Sequence, residues 1–531
     1  MIARDENMKG IVVCPQPEAA EIGIRILEDG GNAFDAALAV AFVQMIVDPF
    51  MCGVGGMAAA HVWSPNLGTH KIIDGSLCAG SRVRPDMWVN DFRGRSPFSG
   101  SSIFKDYRSE IGYSSICVPG AVAAFDVIYR TFCTRPIAEL LQPAIRIAGQ
   151  GFRSTPYMRD YLLWPPFPET PDGKTRLQAS EPCSRLYLHP DGSVFDEGEL
   201  INNQDYSRTL ELLAKKGLED FYRGELAQII AEDLERNGSW ISREDLERYQ
   251  SQIQAPLCTR YREFDVHSSL PPTGGPLLLE ALNILGNVDL SQVCHNDPDH
   301  LDILANTLIS VFLRRSDCRG DPAGNSRAPN KAAHHPTGFN NEHTTHLVVI
   351  DHDGNIASIT HSLGWASGVI TPGLGFIYNN GMNLFNPVPG NLDSIAAGKI
   401  RPSSLMPTIV FQEGAPILAF GALGGNAILS ACMQVLSNIL DFGFSAIEAV
   451  LVPRIHAEGS TIWCESRIRS DHRTMLETKG HTVEHQLRGY VPWFGQAQIV
   501  HIMPDGSIQG GSDPRGGGGA VMYARSKETI I

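Results

Sequence analysis

Residues 36–47 read Ala-Ala-Leu-Ala-Val-Ala-Phe-Val-Gln-Met-Ile-Val, between Asp35 and Asp48. Wound as a helix, the segment is apolar on nearly every side, with Gln44 its one polar position. Such a helix has to be enclosed. Twelve residues cannot span a bilayer, so the enclosure must be protein. A chain of 531 residues with 43% hydrophobic content can supply it without a disulfide or metal staple. Only 19% of residues are charged, which excludes global disorder.

The rest of the chain says what kind of layers do the enclosing. Residues 18–28 place Ala20, Ile24 and Leu27 on one helical face, and Gly30-Gly31 stops that helix. Cys52-Gly-Val-Gly-Gly56 is a glycine loop before a strand at 58–63. The middle section, to about residue 300, carries helical patterns at 210–216 and 226–236. Turns at 164–168 and 271–275 punctuate it. Residues 321–341 are polar and rich in turn formers, and they mark the clearest boundary. After it the period switches to strands, at 347–350, 356–360, 408–411 and 417–420, with a hairpin turn at Asp353-Gly354. A helix is predicted over 427–440. Helices with some strands, then strands with some helices, fit α/β layers better than a single parallel sheet.

The net charge of −15 argues against a nucleic-acid partner. The first ten residues have no apolar core of signal-peptide type, so a cytoplasmic protein is expected. Eleven cysteines without tight pairs predict free buried thiols in a reducing compartment. No zinc site, cofactor or membrane partner is expected.

The chemistry concentrates at the boundary, in Asn340-Asn-Glu-His-Thr344-Thr-His346 and the strand that follows. Two threonines at a strand mouth are, alone, ordinary strand and turn residues. In this setting, with Asp351-x-Asp-Gly-Asn355 behind them, they resemble the processing site of the γ-glutamyltranspeptidase family of N-terminal-nucleophile (Ntn) hydrolases. Other segments resemble the family's signatures in order: 26–37, Asp48-Pro49 through Gly53-Val-Gly-Gly56, Val118-Pro-Gly120, Tyr378-Asn-Asn380, Arg401-Pro-Ser-Ser404, Gly421-Ala-Leu-Gly-Gly425 and Ser512-Asp-Pro-Arg515. The resemblance runs from about residue 10 to 515.

It implies an α+β fold, the four-layer αββα sandwich of the Ntn type. One folded unit would consist of a large fragment 1–343 and a small fragment 344–531. Thr344 would cut its own peptide bond to His343 and then serve as nucleophile. Its freed α-amine would be the base, with an unperturbed pKa of ~7.7–8.0. Gly424 and Gly425 would donate two N–H groups to the oxyanion, at the start of a helix whose dipole favours negative charge. Thr360 and Ser362 fall on one strand face and would steady the nucleophile. Neither Gly-x-Gly-x-x-Gly nor a Walker sequence is present, so a phosphate cradle is not expected.

The substrate clamp departs from the family's pattern. Ser76 stands where an arginine should grip the substrate's α-carboxylate. Gly364 replaces an asparagine, Leu384 an acidic residue and Gly381 a glutamine. Asn380, Ser403 and Ser404 remain, the serines shifted by one position. Arg82, Arg84 and Arg401 are candidate replacement cations. The resemblance thus implies intact acyl-transfer machinery acting on a small-molecule amide other than a γ-glutamyl one, with water or an amine as acceptor. The alternatives are an orthodox glutathione hydrolase or transpeptidase and an uncleaved, non-catalytic binding relative. The expected assembly is a heterodimer of self-cut fragments, with further dimerisation left open.

Overall fold

The computed structural model describes residues 8–95, 101–163, 170–314, 343–516 and 519–525. The polar boundary at 321–341 and the turn at 164–168 lie outside the described residues.

Two sheets face each other. The first has seven strands, in the order Ala520–Arg525, Met8–Cys14, His343–Asp351, Ile356–Gly364, Met57–Ser64, Thr69–Gly75 and Gln252–Gln254. The second has six: Ile508–Ser512, Gln496–Ile502, Ala415–Leu423, Thr408–Gln412, Phe264–Ser268 and Leu257–Tyr261. Alternation along each strand sends one set of side chains between the sheets and the other outward. Ile11, Val13, Val348 and Ile350 meet Ile409, Phe411, Ala419 and Val500 in the interior. Val12, Cys14, Leu347 and Val349 point the other way, into helices Pro17–Glu28, Ala33–Val47, Ala121–Phe132 and Ile137–Gln150. Helices Gly275–Leu285, Pro298–Leu313, Ala427–Leu440 and Ala446–Leu451 cover the outer face of the second sheet. The result is the expected four layers, αββα.

The apolar helix Ala33–Val47 is buried along its whole length, against the Thr344 strand and under neighbouring helices. Its first turn is closed by a capping box between Asn32 and Asp35. The predicted hairpin is His343–Asp351 paired with Ile356–Gly364, strands longer than their apolar cores suggested. Residues 427–440 form the predicted helix. Among the described residues, no helix is long and apolar enough to cross a membrane.

The ten described cysteines are all free thiols, and one expectation about them is corrected. Cys14, Cys52, Cys117, Cys183, Cys432 and Cys464 are buried, but Cys258 and Cys294 are exposed. Cys258 lies on Leu257–Tyr261, the edge strand of the second sheet, which leaves one side of it uncovered.

Candidate active site

The hairpin register decides which hydroxyls meet. Thr344 pairs with Ser362, Thr345 with His361, and His346 with Thr360. Side chains of 344, 346, 358, 360 and 362 therefore share the face between the sheets. Thr344 Oγ1 donates to Ser362 Oγ at 3.1 Å. Ser362 Oγ also accepts from the Gly364 N–H at 2.9 Å. Thr344 is 2% exposed and Ser362 fully buried. The next rung carries a bulge: His343 lies opposite Gly364, so two residues of one strand oppose one of the other. The bulge falls across from the bond between His343 and Thr344. Bulges gather beside active sites because they re-aim local groups.

Thr360 does not reach Thr344. Its Oγ1 lies 2.8 Å from Nδ1 of His346, whose Nε2 lies 3.2 Å from Ser358 Oγ. His346 is fully buried, and burial, aided by His361, pushes its pKa down to about 3. It is a neutral imidazole locked between two hydroxyls, two residues from Thr344 on the same face. Sequence reasoning missed it, although strand alternation would have placed it there.

Gly424 and Gly425 form the turn between strand Ala415–Leu423 and helix Ala427–Leu440. Their φ values of 123° and 59° are in the region that favours glycine. The Ala427 and Ile428 N–H groups bond to the Gly424 and Gly425 carbonyls, so the turn engages the glycines' acceptors. Ser358 Oγ donates to Phe420 O, which fixes how this strand crosses the hairpin. Trp365, three residues past Ser362, clusters with Ala427 and Phe494. The glycine turn therefore sits at the same end of the sandwich as Thr344.

A brace stands behind that turn. A Cβ added to Gly424 would come within 2.9 Å of Gly495 Cα, so the two backbones touch. Arg454 Nη1 donates to Gly495 O at 2.8 Å, and its other terminal nitrogen pairs with Asp513. Arg515 bonds both Asp513 and Glu465. All four of these ionic side chains are buried, which explains the Ser512-Asp-Pro-Arg515 signature as a support for the turn.

The clamp positions are built over. Ser76 Oγ donates to Asp74 at 2.6 Å, so its hydroxyl is engaged by the fold. Asn380 is engaged as well: Oδ1 accepts the Trp365 N–H at 2.8 Å, and Nδ2 donates to the Glu110 carbonyl and carboxylate. That carboxylate forms a buried ion pair with Arg176 at 2.8 Å. A Cβ on Gly364 would lie 2.6 Å from Asn380 Oδ1, with φ at +73°. A Cβ on Gly381 would lie 2.7 Å from Cys117 Sγ. A side chain at either position would require Asn380 or Cys117 to shift. Leu384 is buried and apolar.

Of the candidate cations, Arg82 and Arg84 form exposed pairs with Glu235 and Asp86. Arg401 is fully buried and holds the fold, donating to Gly381 O, Pro402 O and Asn383 Oδ1. Ser404 is buried beside Gly274. Ser403 is fully buried with an unpartnered Oγ. Among the described residues, no set of His, Cys, Asp or Glu is placed to hold a metal. The arrangement offers a threonine hydroxyl paired with a serine hydroxyl and a glycine turn at a helix start.

A profile of the gamma-glutamyltranspeptidase family matches residues 19–523. The Acylase ACY 1 proenzyme of Pseudomonas sp. (strain V22) is 30% identical over 97% of this chain and 94% of its own. The glutathione hydrolase proenzyme of Escherichia coli (strain K12) is 28% identical over 96% and 90%. The crystal structure of cephalosporin acylase from Bacillus halodurans superposes with a TM-score of 0.82 at 27% identity, covering 97% of this chain and 96% of that one.

Proposed function

The chain belongs to the gamma-glutamyltranspeptidase family, and on that premise we propose that Thr344 is the nucleophile of a self-cutting amidohydrolase or acyltransferase with an acyl group other than γ-glutamyl. Membership makes the protein an Ntn enzyme of amide hydrolysis or transfer. The observation that carries the finer reading is the contact of Thr344 Oγ1 with Ser362 Oγ, one residue from a bulge.

Cutting begins when Thr344 Oγ1 attacks the His343 carbonyl. The N-to-O shift leaves an ester, and water releases fragment 344–531 with a free Thr344 amine. In turnover the amine takes the Thr344 hydroxyl proton as Oγ1 attacks the substrate amide. The Gly424 and Gly425 N–H groups receive the oxyanion. The amine returns the proton to the leaving nitrogen, and the acyl ester passes to water or to another amine. Fragments 1–343 and 344–531 stay paired through the hairpin and its neighbouring strands.

The specificity reading rests on Gly364 and Gly381. At both, a side chain would press on Asn380 or on Cys117 and Leu77, and Ser76 is turned to Asp74. The acyl group is therefore one without the α-amine and α-carboxylate pair. A glutathione or γ-glutamyl anilide assay on cut enzyme, beside a panel of other small N-acyl amides, tests it. Slow γ-glutamyl turnover and faster turnover of another amide are expected. Efficient γ-glutamyl turnover would restore the orthodox reading.

A further inference from the structure

The opposite face of the Thr344 strand carries a second polar system that acyl transfer does not use. Thr345 and His361 point there, toward helix Ala33–Val47. Gln44 Nε2 donates to Thr345 Oγ1 at 3.1 Å and to Gln16 Oε1 at 2.6 Å. Gln44 Oε1 lies 2.9 Å from His361 Nε2. Gln16 Nε2 donates to Asp48 Oδ2 at 2.7 Å and lies 3.4 Å from Thr345 Oγ1. The Asp48 turn is also tied to the Ser362 strand, where Leu363 N–H donates to Met51 O at 3.1 Å.

This chain ends on an anomaly. Asp48 is 7% exposed, and its Oδ1 is buried with no hydrogen-bond partner. Buried carboxylate oxygens are almost always satisfied. Among the described residues, the groups facing Asp48 supply no positive charge. From its own turn comes Cys52, a thiol that burial pushes far up. From helix Pro156–Leu163 come Tyr157, also pushed up by burial, and Tyr161, pushed up to about 12. Beyond the glutamines stands His361, held neutral because burial lowers it to about 3. Cutting at Thr344 creates one new cation at this end of the sheet, the α-ammonium.

We propose that Asp48 is a positioning residue for the catalytic base: its carboxylate is the counter-charge that sets the basicity of the Thr344 α-amine, coupled to it through Gln16, Gln44 and Thr345. This rests on Thr344 being the nucleophile. In the uncut chain burial raises the Asp48 carboxyl to about 7, against the pull of the Gln16 hydrogen bond. The ammonium favours the ionised carboxylate, and by linkage the carboxylate favours the ammonium. Asp48 takes no proton in turnover; it adjusts how readily Thr344 can.

The test uses cut wild type, Asp48→Asn and Asp48→Glu. The Thr344 amine is carbamylated with cyanate from about pH 5 to 9, a window that brackets its ordinary pKa. The mass of fragment 344–531 gives the extent of reaction at each pH. Asp48→Asn should lower the amine pKa by about half a unit or more, whereas Asp48→Glu should keep the wild-type value. Superposed curves for wild type and Asp48→Asn would overturn the proposal. If Asp48→Asn stays uncut, Gln16→Met is labelled in its place. Losing the amide donor raises the Asp48 pKa, so the amine pKa again falls, and an unchanged value overturns the proposal. Cutting at the same bond in Thr344→Ala would refute the nucleophile reading instead, so the two failures are distinct.

Discussion

Replacing Ser362 by alanine separates the environment of the proposed nucleophile, Thr344, from the fold around it. Ser362 Oγ accepts from the Thr344 hydroxyl at 3.1 Å and from the Gly364 N–H at 2.9 Å. Deleting it leaves the Gly364 N–H buried without an acceptor, at a cost of about 1–3 kcal/mol of stability. The Thr344 hydroxyl loses a neutral hydrogen bond worth about 0.5–1.5 kcal/mol, or up to roughly tenfold in rate. Lost orientation of the attacking oxygen extends this to about a hundredfold. The assay is the appearance of fragment 344–531 during cell-free synthesis, followed on gels, with urea unfolding of the product run in parallel. Ser362→Ala should cut roughly ten to a hundred times more slowly, and Ser362→Thr, which keeps the oxygen, should cut within a few-fold of wild type. Wild-type cutting by a destabilised Ser362→Ala would refute the role of this contact.

Three further perturbations follow from other parts of the site. Gly364→Asn puts a Cβ 2.6 Å from Asn380 Oδ1 at a φ of +73°, so it should cost roughly 1–3 kcal/mol in urea unfolding and restore no γ-glutamyl turnover. Arg454→Met breaks a fully buried pair and frees Gly495, so about 3–5 kcal/mol of stability and part of kcat should be lost, with KM unchanged. Burial holds His346 and His361 at about 3 in the folded chain, below their ordinary value of about 6.5, so the unfolded chain binds the extra protons as pH falls below about 6.5. Stability contributed by each is then lost on acidification, by about 2 kcal/mol between about pH 6.5 and 5. Asp48 is shifted upward and opposes this trend. Urea midpoints should still fall from neutral pH to about pH 5, and His361→Gln should shrink the difference.

The elements were legible because their periods are strong. The apolar run at 36–47 became a wholly buried helix, and the hairpin about Asp353-Gly354 and the helix after Gly425 formed where turn chemistry put them. The strand mouth at Thr344 and its partner Ser362 were legible too, since alternation within one hairpin is a local rule. Which group each hydroxyl meets is less plain: Thr360 falls opposite His346, one residue pair of the same face away from Thr344, and bonds that imidazole rather than the Thr344 hydroxyl. Packing across distant segments was hidden as well. The sequence puts glycines at 364 and 381, where the resemblance leads one to expect side chains, but only the fold shows Asn380 and Cys117 beside them. Asn380 and Ser76 keep or change their identity without revealing that their polar atoms are engaged internally. The link from Asp48 to Thr345 passes through Gln16, which lies 329 positions from Thr345 in sequence.

Intact mass and N-terminal sequencing of the purified protein test the central claim most directly. The account predicts two fragments, 1–343 and 344–531, the second beginning with Thr344, and a single uncut chain in Thr344→Ala. A wild-type chain that remains whole, or one cut at a bond other than the one between His343 and Thr344, would contradict it.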